Sequence, residues 1–85
     1  MAYGVVSVGT TPTLIVPANN ARRQLIIDNQ SSSTVYIGPD TSISSSNAVR
    51  LLSGANMTVD AQWFLSAIYG VVSTGSANVA YWEHP

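Results

Sequence analysis

From residue 22 to residue 83 the chain alternates short apolar runs with polar or glycine-containing breaks. The runs cover residues 22–29, 34–38, 49–54, 57–59, 64–69 and 77–83. Leu25 and Ile27 alternate with Gln24 and Asp28, the two-residue period of a half-buried strand. Ile26 interrupts that alternation, which predicts cover on both faces. Gln30-Ser31-Ser32-Ser33 leads into Val35-Tyr36-Ile37, which Gly38-Pro39-Asp40 ends, so these two runs are expected to form a hairpin. The serine-rich stretch 41–47 predicts an exposed loop. Ser53-Gly54-Ala55-Asn56 then turns the chain into Met57-Thr58-Val59. Residues 61–69 fit two templates. Ala61, Phe64, Leu65, Ile68 and Tyr69 satisfy a short helix, whereas the β-like flanks and Val71-Val72 favour a strand over 64–69. Gly38, Gly54, Gly70 and Gly75 fall singly between runs, as turn residues of positive φ would.

Residues 1–20 stand apart. Residues 2–9 and 13–16 read as an N-terminal arm or edge strands, because Pro12 and Pro17 bracket the second run and proline lacks the amide a central strand needs. The alternatives are an arm that pairs with a neighbouring subunit and the first strands of the same domain. Together the runs predict an all-β chain, a small antiparallel β-sandwich or jelly-roll-like barrel of about seven to eight short strands. It is one domain, with residues 21–85 as its compact part.

Composition narrows what such a domain is for. A chain of 85 residues buries a modest share of its surface, and this one has no Cys and one His, so neither disulfides nor a structural zinc can staple it. Oligomerisation is the remaining route. Only seven residues are charged and none is Lys, while Ser, Thr and Asn supply 25 of the 85. That neutral, hydroxyl-rich surface suits packing against copies of itself or a scaffold, where each buried charge costs desolvation. A net charge of −1 leaves no basic cluster to capture nucleic acid or an anionic membrane. The sequence shows no secretory n- and h-regions and no apolar stretch of bilayer length, which predicts assembly in a cytoplasm.

No constellation of catalytic residues emerges. His84 lies beside the C-terminal Pro85 and reads as a solvated tail residue, without a serine matched to it. Asp28 and Asp60 are the arguable acid pair, yet both occupy run ends, where Asp is an ordinary turn former. Asp40-Thr41-Ser42 has the oxygen-rich look of a calcium loop but lacks a second acid. The triplets Asn29-Gln30-Ser31 and Asn56-Met57-Thr58 match the glycosylation pattern by chance. No cofactor and no metal is expected. Arg22-Arg23 is the one charged cluster, and strand alternation lets at most one of the two reach a given partner. Tyr3, Tyr36, Trp63, Tyr69, Tyr81 and Trp82 supply aromatic area for core, subunit contact or a sugar-stacking platform.

The order of motifs carries a resemblance. Arg22, Leu25, Ile27 and Asn29 form Arg-x-x-Leu-x-Ile-x-Asn; Val35-Tyr36-Ile37-Gly38, Gly54, Ile68-Tyr69 and Ala77-x-Val79 follow. In this order the chain resembles small tailed-bacteriophage virion proteins with a compact β-sandwich, many of which decorate or cement capsids. The resemblance covers about three quarters of the chain and departs at Asn47-Ala48, where a glycine would be expected. It implies a non-enzymatic virion protein that binds the assembled head as a homo-oligomer, a trimer, with the major capsid protein or another virion protein as partner. Shell contacts are expected at Tyr3, Arg22, Arg23 and Trp82. A tail, head-fibre or head-to-tail connector component is the alternative within that class; a carbohydrate-binding module that takes a glycan is the alternative outside it.

Overall fold

Eight strands follow one another along the chain: β1 (Ala2–Val8), β2 (Thr13–Val16), β3 (Gln24–Asn29), β4 (Val35–Gly38), β5 (Val49–Leu51), β6 (Asn56–Asp60), β7 (Ile68–Val71) and β8 (Ala77–His84). They come from a computed structural model that describes residues 2–60 and 67–84. One sheet has the order β1-β8-β3-β6 and the other β2-β7-β4-β5. All pairings are antiparallel. First strand pairs with last, second with seventh, third with sixth and fourth with fifth. The chain is thus one long ribbon rolled upon itself, a β-sandwich with jelly-roll topology.

That rolling corrects the expected hairpin. β3 pairs with β6 and β8, whereas β4 pairs with β5 and β7 in the other sheet. Residues 30–34 therefore form an arch between sheets. Asn29 makes the arch, because its fully buried side chain donates from Nδ2 to the carbonyls of Ser33 (2.7 Å) and Leu51 (2.9 Å). Its Oδ1 accepts from Ser31 N (3.0 Å) and Ser31 Oγ (2.7 Å). The consecutive strands that do pair are β4 and β5, across the long connection 39–48.

Strand alternation sorts the first sheet cleanly. Val8, Leu25, Ile27, Asn29, Ala77, Val79 and Glu83 face inward and are buried. They meet Ile15, Val16, Val35, Ile37, Leu51 and Ile68 from the second sheet in the core. The connection 41–47 is exposed as its serines predict, except at Ile43, which is buried and occupies the space where a Cβ on Gly38 would lie. Asn47, at the departure from the expected glycine, closes the loop by accepting from Ser44 N (2.7 Å) and donating to Ser42 O (3.1 Å). Of residues 61–69, over which strand and helix compete, 61–66, Trp63 among them, lie outside the described residues; the chain is a strand from Ile68.

Positive φ occurs at Gly54 and Gly75 but not at Gly38 or Gly70, which sit within strands. Space explains Gly70. A Cβ there would lie 2.7 Å from Ile15 Cδ1 and 3.3 Å from Val35 Cγ1, both side chains buried in the core. Gly70→Ala is expected to cost about 1–3 kcal/mol by overpacking, read as a lower midpoint in urea with an unchanged m-value. A midpoint equal to that of the parent would show that Ile15 yields freely.

Candidate interaction surface

The outward face of the β1-β8-β3-β6 sheet collects apolar side chains that the fold leaves uncovered. Residues directly opposite on neighbouring strands project to the same face. The register Tyr3↔Trp82, Trp82↔Ile26 and Ile26↔Thr58 therefore lays one row across all four strands. The next row is Val5, Ala80, Asp28 and Asn56. Tyr3 is 79% exposed, Val5 57% and Trp82 50%. Ile26, whose break in alternation predicted a second cover, is only half-buried. Its outer side has no second layer among the described residues, and it lines a shallow depression with Gln24, Trp82 and His84.

That depression measures about 200 Å³. Pockets that hold small molecules run to roughly 300–1,000 Å³, so this one suits a side chain of a partner better than a substrate. Around it the face is nearly neutral. Asp28 is the one carboxylate among its described side chains. A contiguous apolar stretch on an otherwise polar surface marks a contact site, because water gains by leaving it.

Of the four residues expected at an interface, the sheet brings two together. Tyr3 and Trp82 are cross-strand neighbours although 79 positions separate them in sequence. Arg23 is exposed beyond the start of β3, and its N–H donates to His84 O (2.8 Å) at the end of β8. Arg22 is a correction. Its side chain is buried, with Nε donating to Glu83 Oε2 (2.7 Å) and Nη2 to Pro17 O (2.6 Å). Asn19 Nδ2 completes the cluster by donating to Glu83 Oε1 (3.1 Å). Arg22 thus ties the β2–β3 connection to β8 and is out of reach of any docking partner.

The four residues of the Arg-x-x-Leu-x-Ile-x-Asn motif are all buried. They build the sandwich, with the polar pair Arg22 and Asn29 bracketing Leu25 and Ile27. Val5 and Ile26 belong to this surface but are not among the contacts expected from sequence, although Ile26 stands out by its break in alternation. The signal was there: each is an apolar residue at an outward position, next to an inward apolar neighbour.

The remaining candidates for chemistry disperse. Register places Asp28 opposite Asn56 and Asp60 opposite Gln24, at the two ends of the β3–β6 ladder. His84 is no loose tail residue, since it belongs to β8 opposite Gln24. Asp40 Oδ1 accepts from Ser42 N (2.9 Å) and Ser42 Oγ, a local turn whose two hydrogen bonds hold its carboxyl below the usual range. Among the described residues the aromatics share no single platform: Tyr81 packs against the core, and Tyr36 and Tyr69 belong to the other sheet. No helix among the described residues is long and apolar enough to cross a membrane.

The fold and this face define a class, a small jelly-roll sandwich with an uncovered apolar sheet. Comparison with family models, with curated proteins and with solved structures gives no match.

Proposed function

We propose that the chain is a non-enzymatic structural protein of a bacteriophage particle, a decoration or cement protein that docks on the assembled head through the outward face of the β1-β8-β3-β6 sheet. The observation that carries the docking reading is the uncovered row Tyr3–Trp82–Ile26, in a chain whose buried ionic groups are engaged in holding the sandwich together. The phage setting rests on the order of motifs along the sequence. Jelly rolls also build viral capsid and lectin domains, a fold-level analogy that fits the setting without fixing it. Binding the assembled lattice and not its free subunits would stabilise the head by mass action.

Trp82 is the expected anchor, since aromatic side chains in desolvated contacts dominate interface energies. Trp82→Ser is expected to weaken binding to heads prepared without the protein by roughly 30-fold or more, the equivalent of about 2 kcal/mol. Its melting temperature should stay close to that of the parent, because the side chain is half exposed. Equal binding by parent and variant would remove this face from the docking reading.

One observation favours a second reading. Gln24 and His84 flank Trp82 at the depression, as polar groups flank a sugar-stacking ring. Saturable binding of a glycan that Trp82→Ser abolishes, with no affinity for heads, would support a carbohydrate-binding module instead.

A further inference from the structure

Sheet edges expose unpaired amides and carbonyls, and proteins guard them with short strands, prolines, charges or bulges. Three of the four edges here are guarded. β2 has four residues between Pro12 and Pro17, with a register shift between Leu14 and Val16. β5 has three residues and carries Arg50. β6 ends in Asp60. β1 has none of these devices. It runs for seven residues, holds unbroken register with β8 from Ala2 to Val8, and contains neither charge nor proline.

We propose that two copies of the chain pair antiparallel through β1, joining their β1-β8-β3-β6 sheets into one eight-stranded sheet about a twofold axis at Val5. The free backbone groups of an edge are satisfied by another extended strand, and a strand without charge meets no like-charge repulsion from its own copy. Antiparallel pairing is self-complementary under twofold symmetry. Use of the whole strand fixes the register, with Val5 opposite the partner's Val5, Tyr3 opposite the partner's Ser7 and Gly4 opposite the partner's Val6. Val5, exposed on the outer face, then finds an apolar neighbour. The two Tyr3–Trp82–Ile26 rows come to lie on one continuous face. Twofold symmetry replaces the threefold symmetry that the resemblance implied.

The pairing stands on β1 alone, but its use rests on the docking reading: a dimer presents two anchors to a lattice, and the second contact adds avidity. The test is cysteine cross-linking. Directly opposed residues of an antiparallel pair have Cα atoms about 4.5–5.5 Å apart, within the roughly 4.4–6.8 Å that a disulfide spans. The chain has no cysteine of its own. Val5→Cys is expected to cross-link on mild oxidation to twice the 9.0 kDa chain mass. Leu52→Cys, equally exposed at 58% but just after β5, an edge strand of the other sheet, should remain single. Sedimentation equilibrium supplies the second arm. The parent should reach two chain masses, Val5→Lys one, and an equal mixture of Val5→Lys with Val5→Glu two again. Cross-linking no faster at Val5→Cys than at Leu52→Cys, or a parent of one or three chain masses, would overturn the pairing. Trp82→Ser separates the two readings, since it should lose docking while keeping two chain masses.

Discussion

Arg22→Met is expected to lower stability by about 3–5 kcal/mol, the cost of leaving one partner of a buried ion pair without the other. Native proteins hold roughly 0.05–0.15 kcal/mol per residue, about 4–13 kcal/mol for a chain of this length, so this one change removes a large part of the stability. The mechanism is specific. Without the guanidinium, the buried Glu83 carboxylate retains only Asn19 among its described partners, and Pro17 O loses its donor. The loss also loosens the tie between the β2–β3 connection and β8, leaving the Asn19–Glu83 and Arg23–His84 hydrogen bonds to hold it. Arg22→Met combined with Glu83→Leu should recover much of the stability, because replacing both charges removes the unpaired one. Urea denaturation of the two single variants and the double variant measures the coupling directly. Additive losses would mean that the two side chains act independently and that the ion pair holds little of the fold.

Asn29→Ala is expected to cost about 3–4 kcal/mol, because the buried carbonyl of Leu51 and the part-buried carbonyls of Ser33 and Leu52 lose a donor at once. Its Nδ2 has two hydrogens and three acceptors in reach, the carbonyls of Ser33, Leu51 and Leu52, so one hydrogen is shared. The backbone of the same residue pairs with the next crossing, with Asn29 N donating to Ala55 O (2.9 Å) and Gly54 N donating to Asn29 O (3.1 Å). One residue therefore fastens the β3–β4 and β5–β6 crossings together. Asn29→Asp discriminates this account from one of simple volume. Aspartate fills the same space but sets an oxygen against carbonyl oxygens, so it should destabilise at least as much as alanine. If Asn29→Asp were the milder change in thermal unfolding, the hydrogen bonds would not be what holds the arch.

These two residues also show where sequence reading reaches its limit. The alternation of Leu25 and Ile27, the turn residues and the lack of charge sufficed for an all-β sandwich of about eight strands. Arg22 and Asn29 stood out as motif positions, but a polar residue beside a run looks solvated until its partner is known. For Arg22 that partner is Glu83, 61 positions away. The expected hairpin between residues 22–29 and 34–38 failed for the same reason. A four-residue polar spacer fits a hairpin loop and a sheet-crossing arch equally well, and only the distant pairings of β3 with β6 and β8 decide between them. Tyr3 and Trp82 could be chosen as exposed aromatics, yet their adjacency exists only in the register of first strand against last. Ile26 carried the clearest local hint of the surface, because an apolar residue out of alternation needs a cover, and the described residues of the monomer supply none.

The central claim is that the outward face of the β1-β8-β3-β6 sheet docks on a phage head, and a density map of the particle carrying the chain tests it most directly. The account predicts many copies spread over the shell, each with Trp82 and Ile26 turned toward the capsid protein. Copies confined to a single vertex, or a Trp82 face open to solvent on every copy, would contradict it.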